Sequence, residues 1–213
     1  MTNKLQGFCD TNIFVDFSLT DKFSSFIERY KILRISDAVH IELQDWDREN
    51  YEYSYIYNNL VEQLDSENIK LVEREQFTDL EKSVIERRLN GIYEILDDLP
   101  KEAKKHLNKG EIISAIYAEV LKAPFIQSND KFPNDLKDNE FKNIVFLNRN
   151  DILKELCNSL KETSHYNNLI NNNRKKMDNS FEISKSIEKS KINVDDSKKK
   201  ELIELKRSLI NLN

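Results

Sequence analysis

Residues 109–130 read KGEIISAIYAEVLKAPFIQSND, and the order of elements in this stretch decides the fold. Its first half places apolar or small side chains around most of a helix, which is typical of a helix buried inside a protein. Pro124 ends that helix, because proline has no N–H to continue the helical hydrogen bonds. The residues FIQSND that follow predict a short buried strand that ends on polar side chains. A buried helix that leads directly into a buried strand is typical of α/β proteins.

The same alternation runs along the chain on both sides of this stretch. Short strands are predicted at residues 8–15, 31–36, 68–73 and 142–148, and helices at residues 20–30, 36–46, 78–99 and 148–162. Residues 46–66, which are rich in tyrosine, add an extra helical segment. Strands that alternate with helices form a parallel sheet covered on both faces. We therefore predict an α/β fold, a three-layer α/β/α sandwich whose central, mostly parallel sheet has four to five strands.

The chain changes character near residue 162. Beyond that point it is rich in Asn, Ser and Lys and poor in apolar side chains, which is typical of a loosely packed or disordered segment. A helical apolar repeat returns between Lys198 and Leu212 and predicts a helical tail. We therefore predict one compact domain over residues 1–162, and a flexible linker with a C-terminal amphipathic helix over residues 163–213. Such a helix usually docks on its own domain, on a copy of itself or on another protein.

The composition argues against several classes of protein. The 213 residues contain no apolar run long enough to span a membrane, and the N-terminus lacks the plan of a signal peptide, so we expect a cytoplasmic protein. Only three glycines are present, which argues against a glycine-rich phosphate loop. Cys9 and Cys157 stand far apart among apolar neighbours, and we expect buried free thiols. The histidines are scattered and predict no catalytic group; they are His40, His106 and His165.

Four acidic residues stand out among the 38 because of where they lie. They are Asp10 inside the apolar stretch GFCDTNIFVDF, Glu42 on the helix after the second strand, Glu111 at the start of the buried helix, and Asp130 at the end of a strand. Ligands bind beyond the carboxyl ends of parallel strands, where Asp10 and Asp130 meet if the first and fourth strands are neighbours. A hard divalent ion relieves the repulsion of clustered carboxylates. Spacing alone leaves open that Glu111 is only a helix N-terminal charge and Glu42 an ordinary exposed acid.

Four segments, in order, carry motifs that are similar to those of one known family. CDTNIFVDF at residues 9–17 resembles the opening motif of the PIN-domain ribonucleases, in which the first acid is followed by Thr or Ser and then Asn. SDAVHIELQ at residues 36–44 resembles the family's second motif. KGEIISAIYA at residues 109–118 resembles the third, and FIQSNDKF at residues 125–132 the fourth. The resemblance covers residues 5–160 and extends to toxin-type and related bacterial members.

This resemblance implies a metal-dependent phosphodiester hydrolase. It implies that the four acids hold one or two Mg²⁺ or Mn²⁺ ions, and that Asn12 and Ser128 orient them. The implied reaction is hydrolysis of RNA phosphodiester bonds by a metal-activated water, which is the activity of an endoribonuclease. The implied partners are an RNA substrate and, for the toxin of a toxin–antitoxin pair, an antitoxin or other regulatory protein. Homo-oligomers through the C-terminal helix are a further expectation.

Two alternative functions stay open at this point. One is a catalytically inactive PIN-fold scaffold that binds partners through its tail. The other is a PIN-type nuclease that acts on DNA or on structured RNA, because a fold does not determine a substrate. Two neighbours of Asp10 receive no role in the site: Thr11 is expected to turn toward the other face and pack, and Asp16 to be a surface charge or a helix-capping acid.

Overall fold

The described residues build a five-stranded parallel sheet at the centre of the protein. The computed structural model describes residues 6–49, 51–97, 109–129, 141–181 and 183. The strands are β1 (Phe8–Cys9), β2 (Leu33–Ser36), β3 (Ile69–Val72), β4 (Phe125–Gln127) and β5 (Val145–Leu147). Their order in space is β3-β2-β1-β4-β5, and each neighbouring pair is parallel. The predicted α/β fold with a parallel sheet is confirmed.

Helices fill the connections between the strands. The helices are α1 (Thr11–Ser18) and α2 (Phe23–Tyr30) before β2, α3 (Asp37–Gln44) and α4 (Tyr55–Asp65) before β3, and α5 (Asp79–Asp97) and α6 (Lys109–Val120) before β4. A turn of 3-10 helix, Arg74–Gln76, precedes α5. After β5 come α7 (Arg149–Leu156) and α8, which covers residues 160–181.

The direction of the crossovers distributes the helices over two faces of the sheet. The chain moves from β1 through β2 to β3, and then returns past β1 to reach β4. Right-handed crossovers place α5 and α6 on the face opposite to α1 and α2. One core joins Ile116 of α6 to Phe8 and Ile126 of the sheet, and on the other face the rings of Phe17 and Phe26 stack at 4.5 Å. Helix α3 follows the carboxyl end of β2 and contacts both α1 and α6.

The first strand is shorter than predicted. Residues 8–15 were expected to be one strand, but β1 ends at Cys9 and residues 11–18 form α1. Asp10 is the N-cap of that helix, and its Oδ2 accepts the main-chain N–H of Asn12 at 3.4 Å. Because α1 is buried along nearly its whole length, its sequence shows no amphipathic period, and a short apolar run does not distinguish a strand from a buried helix.

The two cysteines are free thiols, as predicted. Cys9 is buried, whereas Cys157, which was also expected to be buried, is only partly so. Within the part of the chain that the structure describes, no helix is both long and apolar enough to cross a membrane. The cytoplasmic location stays a prediction.

The chain divides into two compact units, Met1–Asn172 and Asn173–Asn213. Helix α8 runs through residues 163–181, for which the composition predicted a loose linker. The asparagines that suggested disorder make specific contacts instead, since Asn167 and Asn171 both bind the Arg149 side chain. The domain boundary at residue 162 stays a prediction, and the helix predicted at Lys198–Leu212 lies outside the described residues.

Candidate functional site

The carboxyl end of β1 lies where the order of the strands reverses. Along the chain β1 leads to β2 on one side, whereas its other neighbour, β4, follows only after β3. Ligands of α/β proteins bind in the crevice outside the strands at such a point. Asp10 follows β1 there, with 1% of its surface exposed, and its N–H donates to the Gln127 carbonyl of β4 at 2.9 Å. The first and fourth strands are therefore neighbours, as the predicted meeting of Asp10 and Asp130 requires.

Glu42 lies near the end of α3 and is held by two uncharged groups. The Thr11 hydroxyl donates to Glu42 Oε2 at 2.5 Å, and the Gly110 N–H donates to Glu42 Oε1 at 3.3 Å. Thr11 was expected to pack on the other face, and this expectation was wrong. Thr11 opens a helix rather than continuing a strand, which lets its hydroxyl reach α3.

Gly110 leaves the space in which the Glu42 carboxylate lies. A Cβ built on Gly110 would approach Glu42 Oε1 to 2.7 Å and Glu42 Cδ to 3.0 Å. Any other residue at position 110 therefore pushes the carboxylate away from α6. The glycine matters here for the close approach of a side chain and not for an unusual backbone angle, since no glycine among the described residues has a positive φ.

Glu111 lies in the first turn of α6 and has no exposed surface. Its Oε1 accepts the Ser128 hydroxyl at 2.7 Å. Ser128 follows β4, and its N–H donates to the Leu147 carbonyl of β5 at 3.0 Å. Acids at helix starts are usually solvated, so its complete burial distinguishes Glu111 from an ordinary helix N-terminal charge.

Chain neighbours and hydrogen bonds join three of the predicted acids in a closed ring. Asp10 is followed by Thr11, which binds Glu42; Glu42 binds Gly110, which is followed by Glu111. Glu111 binds Ser128, and the residue before Ser128, Gln127, accepts the Asp10 N–H. The three segments that carry these acids thus contact one another at the carboxyl edge of the sheet.

The other two predicted residues are placed less directly. The described contact of Asn12 with Asp10 runs through the Asn12 main-chain N–H, at 3.4 Å from Asp10 Oδ2. Asp130 lies outside the described residues. It follows Asn129 in the sequence, and the described chain stops at that point.

The donor set suits a hard divalent cation. Asp10 and Glu111 offer carboxylate oxygens from buried positions, where ionised groups are costly unless positive charge compensates them. Burial, and after it the charge of Asp10, raises the pKa of the Cys9 thiol well above its ordinary value, so in the metal-free protein this neighbour is an uncharged thiol. Among the described residues, no three Asp, Glu, His or Cys side chains are grouped closely enough to hold a metal ion. These acids do not complete a centre alone, and Asp130 is the further ligand that the sequence predicts.

Sequence reasoning missed an ion pair beside the site, between a buried carboxylate and a partly exposed arginine. Asp16 was expected at the surface or as a helix cap, but it is only 1% exposed and pairs with Arg149, Oδ2 to Nη1, at 3.3 Å. Asn129 Nδ2 also donates to Asp16 Oδ2 at 2.6 Å. The expectation failed because residues 11–18 are a helix, which carries position 16 inward and not to a strand end. The signal was present, because Asp16 interrupts the same apolar stretch as Asp10.

A groove of about 510 Å³ opens beside Glu42, between α3, α5 and α6. Its walls are largely apolar, and partly exposed Ile41 and Tyr93 line it together with Glu42. Asp37 and Tyr117 close one end, where the Tyr117 hydroxyl donates to Asp37 Oδ2 at 3.2 Å. Burial, followed by the charge of Asp37, raises the pKa of Tyr117, so this phenol stays protonated as a donor.

Comparisons with known proteins assign no family to this chain. No protein-family model matches it, and no curated protein matches it. A solved structure with similarity to it is the crystal structure of VapBC2 from Rickettsia felis bound to a DNA fragment from their promoter. That match has 15% sequence identity and a TM-score of 0.46, and it covers 67% of this chain and 98% of the other. At these values the likeness assigns neither an activity nor a partner.

Proposed function

We propose that this protein is a metal-dependent endoribonuclease of the PIN type, which holds Mg²⁺ or Mn²⁺ through Asp10, Glu42, Glu111 and Asp130. The observation that carries the proposal is the ring that joins the first three acids, two of them buried, at the edge where the strand order reverses. The four sequence motifs, in the family's order, add the fourth acid and the reaction.

The residues around the acids hold them ready before a substrate arrives. Thr11 and Gly110 bind the two oxygens of Glu42, and Ser128 binds Glu111, so these carboxylates need little rearrangement. A bound divalent ion would supply an activated water and would neutralise charge that develops on the scissile phosphate. The groove beside Glu42 gives the substrate strand a place next to the acids.

The same resemblance supports a toxin of a toxin–antitoxin pair, with an antitoxin or another regulatory protein as partner. Expression of the chain alone in a bacterial host checks this part of the proposal. We expect growth arrest with the wild type and normal growth with Asp10→Asn. Normal growth with the wild type as well as with Asp10→Asn, at equal protein levels, would contradict the toxin role. The nuclease activity is tested separately, by cleavage.

Cleavage of single-stranded RNA in the presence of Mg²⁺ or Mn²⁺ tests the activity itself. Asp10→Asn removes one charge but keeps an N-cap residue for α1, so the fold should survive. We expect the variant to lose at least about 100-fold in cleavage rate, because charge neutralisation at a metal contributes several kcal/mol to the barrier. Asp151→Asn, which alters a helix-start carboxylate in α7, serves as the control and should cleave like the wild type.

Three outcomes decide against the proposal in different ways. Undiminished cleavage by Asp10→Asn would remove Asp10 from the site. A wild type that neither cleaves RNA nor gains thermal stability from Mn²⁺ would favour the inactive scaffold, whereas equal cleavage of DNA or of structured RNA would favour the other substrate classes.

A further inference from the structure

Asn129 is held at both ends of its side-chain amide. Its Nδ2 donates to Asp16 Oδ2 at 2.6 Å, and its Oδ1 accepts the main-chain N–H of Arg149 at 2.9 Å. An amide has a donor at one end and an acceptor at the other, so these two partners fix which way it points. Asn129 follows directly on Ser128, whose hydroxyl binds Glu111. The turn after β4 therefore cannot rotate without breaking contacts on three sides.

The partners of Asn129 are themselves tied down. Asp16 is buried in α1 and pairs with Arg149 at the start of α7. The Arg149 guanidinium is held from the far side by α8, because its Nε donates to Asn167 Oδ1 at 3.0 Å and its Nη2 to Asn171 Oδ1 at 2.9 Å. Helices α1 and α7 thus contact the turn that leads out of β4 directly, and α8 holds the Arg149 side chain.

An ion pair between a buried carboxylate and a partly exposed arginine, such as Asp16 with Arg149, is an inefficient way to stabilise a fold. Its desolvation cost offsets much of its attraction, and apolar side chains of the same volume often stabilise equally well. Charged and amide groups do fix orientation, however, because each donor hydrogen must point toward an acceptor. Asp16, Asn129 and Arg149 therefore suit a role in which orientation is the property that matters.

We propose that Asp16, Asn129 and Arg149 are positioning residues of the candidate metal centre, which hold the turn after β4 so that Ser128 keeps the Glu111 carboxylate aimed into the site. This inference rests on the proposed function, because it takes a metal centre as the thing that is positioned.

Titration calorimetry with Mn²⁺ on the full-length chain tests this role, with the melting temperature of the metal-free protein measured beside it. Asn129→Ala removes both contacts of the amide, and we expect it to weaken Mn²⁺ binding about tenfold or more, the usual effect of losing a residue that orients a ligand. Lys22→Met is the control. This substitution breaks the ion pair between Lys22, which lies at the start of α2, and Glu162 of α8. The Lys22 Nζ and Glu162 Oε1 atoms are 2.8 Å apart. We expect Lys22→Met to lower the melting temperature and leave Mn²⁺ affinity unchanged.

A reversed pair provides a second variant, which keeps the contact between positions 16 and 129. Asp16→Asn together with Asn129→Asp turns that hydrogen bond around, and the Arg149 N–H still meets an oxygen acceptor. The Arg149 guanidinium loses its ion pair, because it binds the same Asp16 oxygen as Asn129, so recovery of Mn²⁺ affinity should be partial. We expect this double variant to bind Mn²⁺ more tightly than either single variant. If Asn129→Ala does not fold, the reversed pair and its two single variants carry the test.

The outcomes separate this inference from the proposed function. Wild-type affinity in Asn129→Ala and in both single variants of the reversed pair, with binding lost in Asp10→Asn, would overturn the positioning role alone. A wild type that binds no Mn²⁺ would overturn the metal centre and the inference with it.

Discussion

The carboxylate of Glu42 is held by two uncharged neighbours, the hydroxyl of Thr11 and the main-chain N–H of Gly110. Each of them is next in sequence to another candidate acid, Asp10 and Glu111 respectively. A movement of either acid is therefore passed to Glu42 through one peptide unit. Such coupling makes the relative positions of the three carboxylates a property of the main chain, which is more rigid than any single side chain.

Gly110→Ala tests the space in which Glu42 lies. The new methyl group would approach Glu42 Oε1 to 2.7 Å, and the carboxylate must yield, because it is the end of a flexible side chain. We expect weaker Mn²⁺ binding by about tenfold and slower RNA cleavage. The free energy of unfolding should stay the same or rise by up to about 1 kcal/mol, because alanine favours a helix over glycine.

Gly91→Ala is a matched control for this substitution. Position 91 lies inside α5, where an added Cβ meets no atom within 4 Å. The same change in another helix should therefore stabilise the fold without touching the site. Wild-type Mn²⁺ affinity in Gly110→Ala would show that Mn²⁺ binding does not depend on the present position of the Glu42 carboxylate.

Single residues differ in how well their sequence reveals them. The burial of Asp10 was predictable, because this acid lies inside an apolar stretch, where an ionised side chain is costly. Asp16 met the same criterion but was assigned to the surface, because the secondary structure around it was predicted as strand. The roles of Thr11 and Gly110 were not predictable, since each depends on the approach of α3 to residues far away in the sequence.

Among the elements, β1 is the one whose length decides the site. It has only two residues, and the chain turns into α1 directly after it. A longer strand would carry Asp10 into the middle of the sheet, away from the edge where ligands bind. The sequence did not show this boundary because Ile13, Phe14 and Val15 are buried on all sides in α1 as they would be in a central strand.

Gly7→Ala tests how tightly β1 is seated beside β4. A Cβ at position 7 would lie 2.0 Å from the Phe125 ring, and both chain segments are buried there. We expect a loss of about 1–3 kcal/mol in the free energy of unfolding, the usual cost of overpacking a core. Urea denaturation measures it, with Gly91→Ala as the reference for the same substitution in open space. A stability equal to that of the wild type would mean that the Phe125 ring turns aside freely.

For the whole molecule, two truncations distinguish what α8 does from what the tail does. A chain that ends at residue 162 lacks Asn167 and Asn171, both of which hold Arg149. We expect a lower melting temperature and weaker Mn²⁺ binding than in a chain that ends at residue 183. Equal values for the two chains would show that α8 does not support the site.

The truncation at residue 183 also tests the predicted docking helix. A chain that ends at residue 183 keeps every described residue but lacks Lys198–Leu212. Light scattering compares its mass with that of the full chain. We expect a smaller assembly if the tail helix joins copies of the protein, whereas an unchanged state of association would contradict that role.

The fold class was predictable for the whole molecule, and the arrangement of the strands was not. The alternation of apolar strands with helices led to a parallel sheet between layers of helices. The order β3-β2-β1-β4-β5 depends on where each crossover returns, which no local pattern encodes. Residues 163–181 were misjudged for a related reason: their asparagines gain partners only when α7 lies beside them.

The central place of β1 has a consequence for the order in which the protein folds. Its pairing with β2 joins Phe8 to Arg34, whereas its pairing with β4 joins Phe8 to Ile126, which lies much farther along the chain. Contacts between distant residues form slowly, because a long loop must close first. A chain emerging from the ribosome can complete the half-sheet of β1, β2 and β3 early, yet Glu111 and Ser128 join Asp10 only after β4 has been synthesised. Whatever chemistry the site performs, it begins only when most of the chain has been made.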